Sequence, residues 1–167
     1  MTHWRRLAAC LAAATAIAGA TADAHASTDR TLQRLKDTPR ARQVSANEFR
    51  FADGVRVTLS RRAGSLCGPR TFCVWADAGY RGIQASFPRC KNNRPKSYRL
   101  STYGLPPRKP GWLSGVTSWR NNMGRGYSAQ FLDSQALPLL RVNRGGGGHM
   151  PRSKNDRAAW VDLLCVP

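Results

Sequence analysis

The sequence predicts an all-β domain, and three observations carry that expectation. Around Asp53-Gly54, apolar residues fall at every second position, with Phe49 and Phe51 before the pair and Val55, Val57 and Leu59 after it. Beyond Ala46 no long segment shows the 3.6-residue period of an amphipathic helix. Once an N-terminal export segment is set aside, four cysteines remain, an even number that suits a small domain stapled by two disulfides.

The alternation is that of two half-buried strands, and Asp-Gly tolerates the positive φ of a tight hairpin turn. Apolar alternation returns near Cys73 and Trp75 and again at Ile83, Ala85 and Phe87. Val116 to Trp119, Tyr127 to Leu132 and Leu137 to Val142 read as further strands, with Asn121–Gly126 as a turn region. Lys91 to Gly111, rich in Pro, Asn and Lys, reads as a long loop, and Gly145–Gly148 as a flexible connection. Short strands divided by turn residues indicate a sandwich or barrel.

The export segment is residues 1–26. Arg5 and Arg6 form its positive start, Leu7 to Ala20 is uncharged and Ala-rich, and Ala24-His25-Ala26 is the small-x-small ending of a cleavage site. A buried N-terminal helix is the competing reading, but small-residue endings of this kind belong to processing sites. Cys10 follows Leu7-Ala8-Ala9 as in a lipoprotein box, yet the apolar core lies after it, so it is expected to leave with the signal. No segment approaches the ~20 apolar residues of a membrane span. The expected product is secreted, extracellular or periplasmic, and monomeric. Residues 27–46 read as a polar flexible leader with room for one helical turn before Pro39, order begins at Phe49, and residues 47–167 read as one domain.

Cleavage leaves 25 basic and 8 acidic residues, a net charge of +17, mostly arginine and scattered from Arg30 to Arg157. Such a surface attracts anionic polymers, lipid or nucleic acid non-specifically and in a salt-dependent way. Of the three pairings open to Cys67, Cys73, Cys90 and Cys165, Cys67–Cys73 with Cys90–Cys165 is favoured. The first closes a local loop and the second ties the C-terminus to the middle. Zinc is disfavoured, because there is no CxxC pair and His149 is the only histidine after cleavage.

Catalytic signals are sparse. Glu48 is the single glutamate after cleavage, and no GxSxG elbow or HExxH run is present. Asp77, Asp133, Asp156 and Asp162 are the only acidic candidates near ordered segments for a carboxylate pair. The reading favours binding over turnover, with no catalytic residue and no cofactor.

The most specific stretch runs from Cys73 to Gly82 and places Trp75, then Tyr80 five positions on, then Gly82. This resembles the Greek-key signature of the βγ-crystallin superfamily, in which a hairpin folds back over its sheet, aromatics pack under it and Gly supplies a positive φ. Leu100 to Gly104, Val116 to Asn122 with Thr117-Ser118, Asn155 to Ala158 and the final Cys165 extend the likeness. From about Phe49 to Cys165 the chain looks like peptidase inhibitor family 36, secreted microbial proteins related to metalloproteinase inhibitors with a βγ-crystallin-like fold. The resemblance implies a small Greek-key sandwich whose second key is degenerate, since Phe131 is followed five residues on by Ala136 and then by Pro138 in the Gly position. It also raises calcium. The Thr117-Ser118 half of one motif lacks its acidic partners, and the Asn155-Asp156 half of the other lacks its hydroxyls, so structural use of these residues is expected and no metal.

The implied activity is that of a secreted peptidase inhibitor, aimed at a protease such as a metalloprotease. Gly68, Pro69, Arg70 and Thr71, closed by Cys67–Cys73, form the candidate inhibitory loop, and Leu105–Gly111 is a second candidate. The alternatives are a cationic binding or antimicrobial protein acting on anionic envelope polymers, membranes or nucleic acid, and a structural envelope protein.

Overall fold

A computed structural model describes residues 31–60, 66–92, 94–105 and 115–165. The expected export segment, residues 1–26, and most of the Leu105–Gly111 candidate lie outside the described residues. Among the described residues eleven strands form two antiparallel sheets: β1 (Ala41–Ser45), β2 (Glu48–Phe51), β3 (Arg56–Ser60), β4 (Thr71–Asp77), β5 (Arg81–Pro88), β6 (Lys96–Arg99), β7 (Ser118–Asn122), β8 (Tyr127–Leu132), β9 (Pro138–Val142), β10 (Gly147–His149) and β11 (Trp160–Cys165). Their order is β1-β2-β3-β5-β4-β7-β10 in one sheet and β6-β11-β8-β9 in the other.

That order resolves into two Greek keys, β4 to β7 and β8 to β11. In each, the fourth strand returns beside the first, giving β5-β4-β7 and β9-β8-β11. The third strand of each key crosses to the other sheet: β6 pairs with β11, and β10 with β7. Neither key is therefore complete without the other. The aromatic core sits between them, with Phe72 of the first key 5.6 Å from Phe131 of the second and both fully buried. Phe49 and Phe87 are equally buried, each contributing about 1.5–3 kcal/mol of apolar transfer.

The β2–β3 hairpin turns on Asp53-Gly54 as the alternation predicts, with Gly54 at φ 87° and the Phe51 amide donating to the Val55 carbonyl. Asp53 accepts from the Val55 amide through Oδ1 and, at 2.6 Å, from the Tyr103 hydroxyl through Oδ2. Burial first, then this bond, raises the Tyr103 phenol well above its ordinary value. Neighbouring Tyr98 is pushed up to about 12, mainly by burial. The hairpin is thus locked to the 3-10 turn Leu100–Tyr103.

Both disulfides have the favoured pairing, Cys67–Cys73 and Cys90–Cys165. Among the described residues no helix is long and apolar enough to cross a membrane.

Three expectations need correcting. Order begins before Phe49: residues 31–36 are helical, Leu35 is buried in the core, and β1 pairs with β2. Gly104 makes this approach feasible, because at φ 79° it caps the 3-10 turn, and a Cβ there would lie 2.9 Å from Thr31 Cγ2. The Lys91–Gly111 region holds β6 and the 3-10 turn, whose buried Tyr98, Leu100 and Tyr103 belong to the core. Gly145–Gly148 is no loose connection, since its second half begins β10 in register with Trp119 and Arg120.

Candidate functional site

The outer face of the first key carries the predicted signature residues. Cross-strand pairing sets Gln84, Trp75, Ser118 and His149 side by side on four adjacent strands. Trp75 nevertheless has no exposed surface, because the β4–β5 turn folds back over it. Tyr80, at φ 60°, meets the Trp75 ring edge-on at 5.0 Å and stacks on His149 at 5.9 Å. Gly82 is at φ 77°, and a Cβ there would collide with the Asp77 carboxylate. Ser118 ties the fold-over down, its hydroxyl donating to the Asp77 carbonyl at 2.8 Å.

The two half-motifs of the calcium question adjoin. Thr117 donates its hydroxyl to Asp156 Oδ1 at 3.3 Å, and the Asn155 amide donates to Asp156 Oδ2 at 2.9 Å. Gly115 allows the contact, since a Cβ there would lie 2.5 Å from the Asp156 Cα. Both oxygens of Asp156 are therefore engaged by protein donors. Among the described residues no cluster of three or more His, Cys, Asp or Glu is arranged to hold a metal. Asp77 titrates above its ordinary value, first from desolvation over Gly82 and next from the charge of Asp156, with Arg81 pulling it back.

The second key keeps the backbone of this turn without its side chains. Ala136 stands at φ 62°, where Tyr80 stands at 60°, and the strand pairing is irregular at Phe131/Leu132 as it is at Trp75/Asp77. Pro138 cannot take the φ of Gly82. Asp133 holds the turn instead, its Oδ1 accepting from the amides of Gln135 and Leu137 at 2.9 Å each.

The candidate inhibitory loop lies on the same outer face, beside the signature. The Thr71 hydroxyl donates to the Gly68 carbonyl at 2.6 Å, and the Asn122 amide donates to the carbonyls of Cys67 and Gly68 at 3.0 Å each. Gln84 reaches up from β5 to the Leu66 carbonyl at 3.1 Å. Arg70 is held in the left-handed region at φ 60°, its amide bonded to the Asn122 carbonyl and its carbonyl to the Arg89 amide. Pro69 and Arg70 remain exposed, and Leu66 is 88% exposed. Asn122, Gln84 and Leu66 had no signal of their own in the sequence, because only the strand register brings the two amides under the loop.

Comparison with protein-family models, with curated proteins and with solved structures finds no match. Fold and site together define a two-disulfide Greek-key sandwich that presents a pinned, solvent-facing loop on one sheet.

Proposed function

We propose that the protein is an exported peptidase inhibitor-like binding protein that blocks a protease cleft with the loop Leu66–Thr71. The carrying observation is the contrast within that loop. Its backbone is held by a disulfide, by two side-chain amides from other strands and by the hydrogen bonds on either side of Arg70, while Leu66, Pro69 and Arg70 face solvent. A loop already fixed in its bound shape loses little entropy on docking. Arginine is among the residues that dominate interface energetics. The resemblance over Phe49–Cys165 supports the same reading, and so do two disulfides in a chain that begins with an export-type segment.

The test is inhibition of a panel of metallo- and serine proteases by the protein beginning at Ser27. Inhibition at micromolar protein is expected, with Leu66→Asp weakening it at least tenfold. Arg70→Gly separates stability from function. Glycine relieves the left-handed backbone and stabilises the fold by about 1 kcal/mol, yet the variant loses the exposed guanidinium and inhibits less well. If no protease in the panel is inhibited at micromolar protein, the proposal is wrong.

A further inference from the structure

Away from the loop, at the far end of the same sheet, β1, β2 and β3 carry arginines in register. Arg42 pairs with Arg50, and Arg50 with Arg56, so the three stand directly opposite one another on one face. All three are exposed, as is Arg40, which shares the face of Arg42. Like charges opposite each other on adjacent strands are destabilising. Among the described residues one carboxylate answers them: Glu48 Oε1 lies 3.4 Å from Arg50 Nε and 3.1 Å from Arg56 Nε. Among the described residues Arg40 and Arg42 have no acidic partner.

Protection of a sheet edge accounts for part of this. β1 ends the sheet, and charged residues on an edge strand discourage pairing with another chain. Arg50 and Arg56 escape that explanation, because β2 and β3 are interior strands. The three arginines also project from one row of backbone positions, one on each of three adjacent strands about 4.8 Å apart. One strand of a B-form duplex carries a phosphate for every ~3.4 Å of its axis, so long, mobile arginine side chains from one row meet successive phosphates. Guanidinium matches phosphate with two parallel N–H bonds. Among the described residues the exposed neighbours of the row are Arg40, Val44 and Ala52, none of which offers a ring for a base to stack on.

We infer that Arg42, Arg50 and Arg56 form a binding track for the phosphate backbone of duplex nucleic acid, read without regard to sequence. The track is separate from the proposed inhibitory loop and stands or falls independently of it.

Binding of a short fluorescent duplex of mixed sequence, followed by anisotropy across a salt titration, tests the inference. Replacing Arg42, Arg50 and Arg56 together by Ala is expected to weaken binding at least tenfold. It should also make the slope of log K against log salt shallower by about 2–3, since each lost phosphate contact removes about 0.9. A control with Arg141, Arg144 and Arg152 replaced by Ala removes the same charge elsewhere, and its slope should stay within about one unit of wild type. The melting temperature of the row variant should equal or exceed that of wild type, as three opposed cations are gone. If the Ala variant fails to fold, replacing the three by Lys keeps the charge and removes the fork, and weaker binding with a retained slope is expected. Equal losses in row and control variants, or unchanged affinity in the Lys variant, would overturn the track. So would a row-dependent loss confined to anionic vesicles or a sulfated glycan, with duplex binding untouched.

Discussion

Asp77 shows how one side chain in the folded-over turn opposes the stability it helps to build. Its carbonyl receives the Ser118 hydroxyl, and its carboxyl lies over Gly82 near the charge of Asp156. Desolvation and that charge raise its pKa above the usual 3.8, so the folded chain holds a proton there more readily than the unfolded one. The stability linked to this proton is complete below 3.8 and is lost as pH rises through the higher folded value. Asp77→Asn removes the charge and keeps the shape. It is expected to be more stable than wild type at neutral pH, by a fraction of a kcal/mol because the residue is exposed and solvent screens it. The gap should close in acid. Urea midpoints of the two proteins across the acid range test this, and a variant less stable at neutral pH would mean that the carboxylate is a needed acceptor.

At the scale of elements, the segment before Phe49 carries more than its composition announces. Leu35 is 1% exposed although the surrounding run, with Arg34, Lys36 and Asp37, is polar. Leu35→Ala is expected to cost about 2–4 kcal/mol, as deletion of a buried leucine side chain does. A free, unpacked leader would lose nothing, and a denaturant melt separates the two outcomes. This segment also shows where the sequence was opaque. Hairpin strands β2 and β3, and β8, were legible because they alternate or because turn residues bound them. β1 has an exposed pattern on four of its five residues, so its pairing with β2 leaves no period to read. β6 is four residues long with only Tyr98 buried, and β10 is mostly glycine. Both are strands because the opposite key offers them an edge, which is tertiary information. The site divides the same way. Trp75, Tyr80 and Gly82 announce the fold-over by their spacing, whereas Gln84 and Asn122 reach the loop only through register.

For the whole molecule, the two disulfides have different tasks, and their removal should separate stability from function. Cys90 follows β5 in the first sheet and Cys165 ends β11 in the second, so their bond joins the sheets across 75 residues of chain. Cys67–Cys73 closes only six. On loop-closure entropy the long link is worth about 4 kcal/mol and the short one about 2. Replacing Cys90 and Cys165 together by Ser should therefore lower the denaturation midpoint more than replacing Cys67 and Cys73. Inhibition should respond in the opposite order. The short link holds the loop that faces solvent, so without it the loop must be ordered on docking and the binding constant falls even where the protein is fully folded. The long link acts on the loop only through the fold, and inhibition by its variant should track the folded fraction. Denaturation midpoints and inhibition constants measured on both Ser pairs check this; equal loss of inhibition per unit of folded protein would show that the short link adds nothing to the loop beyond stability.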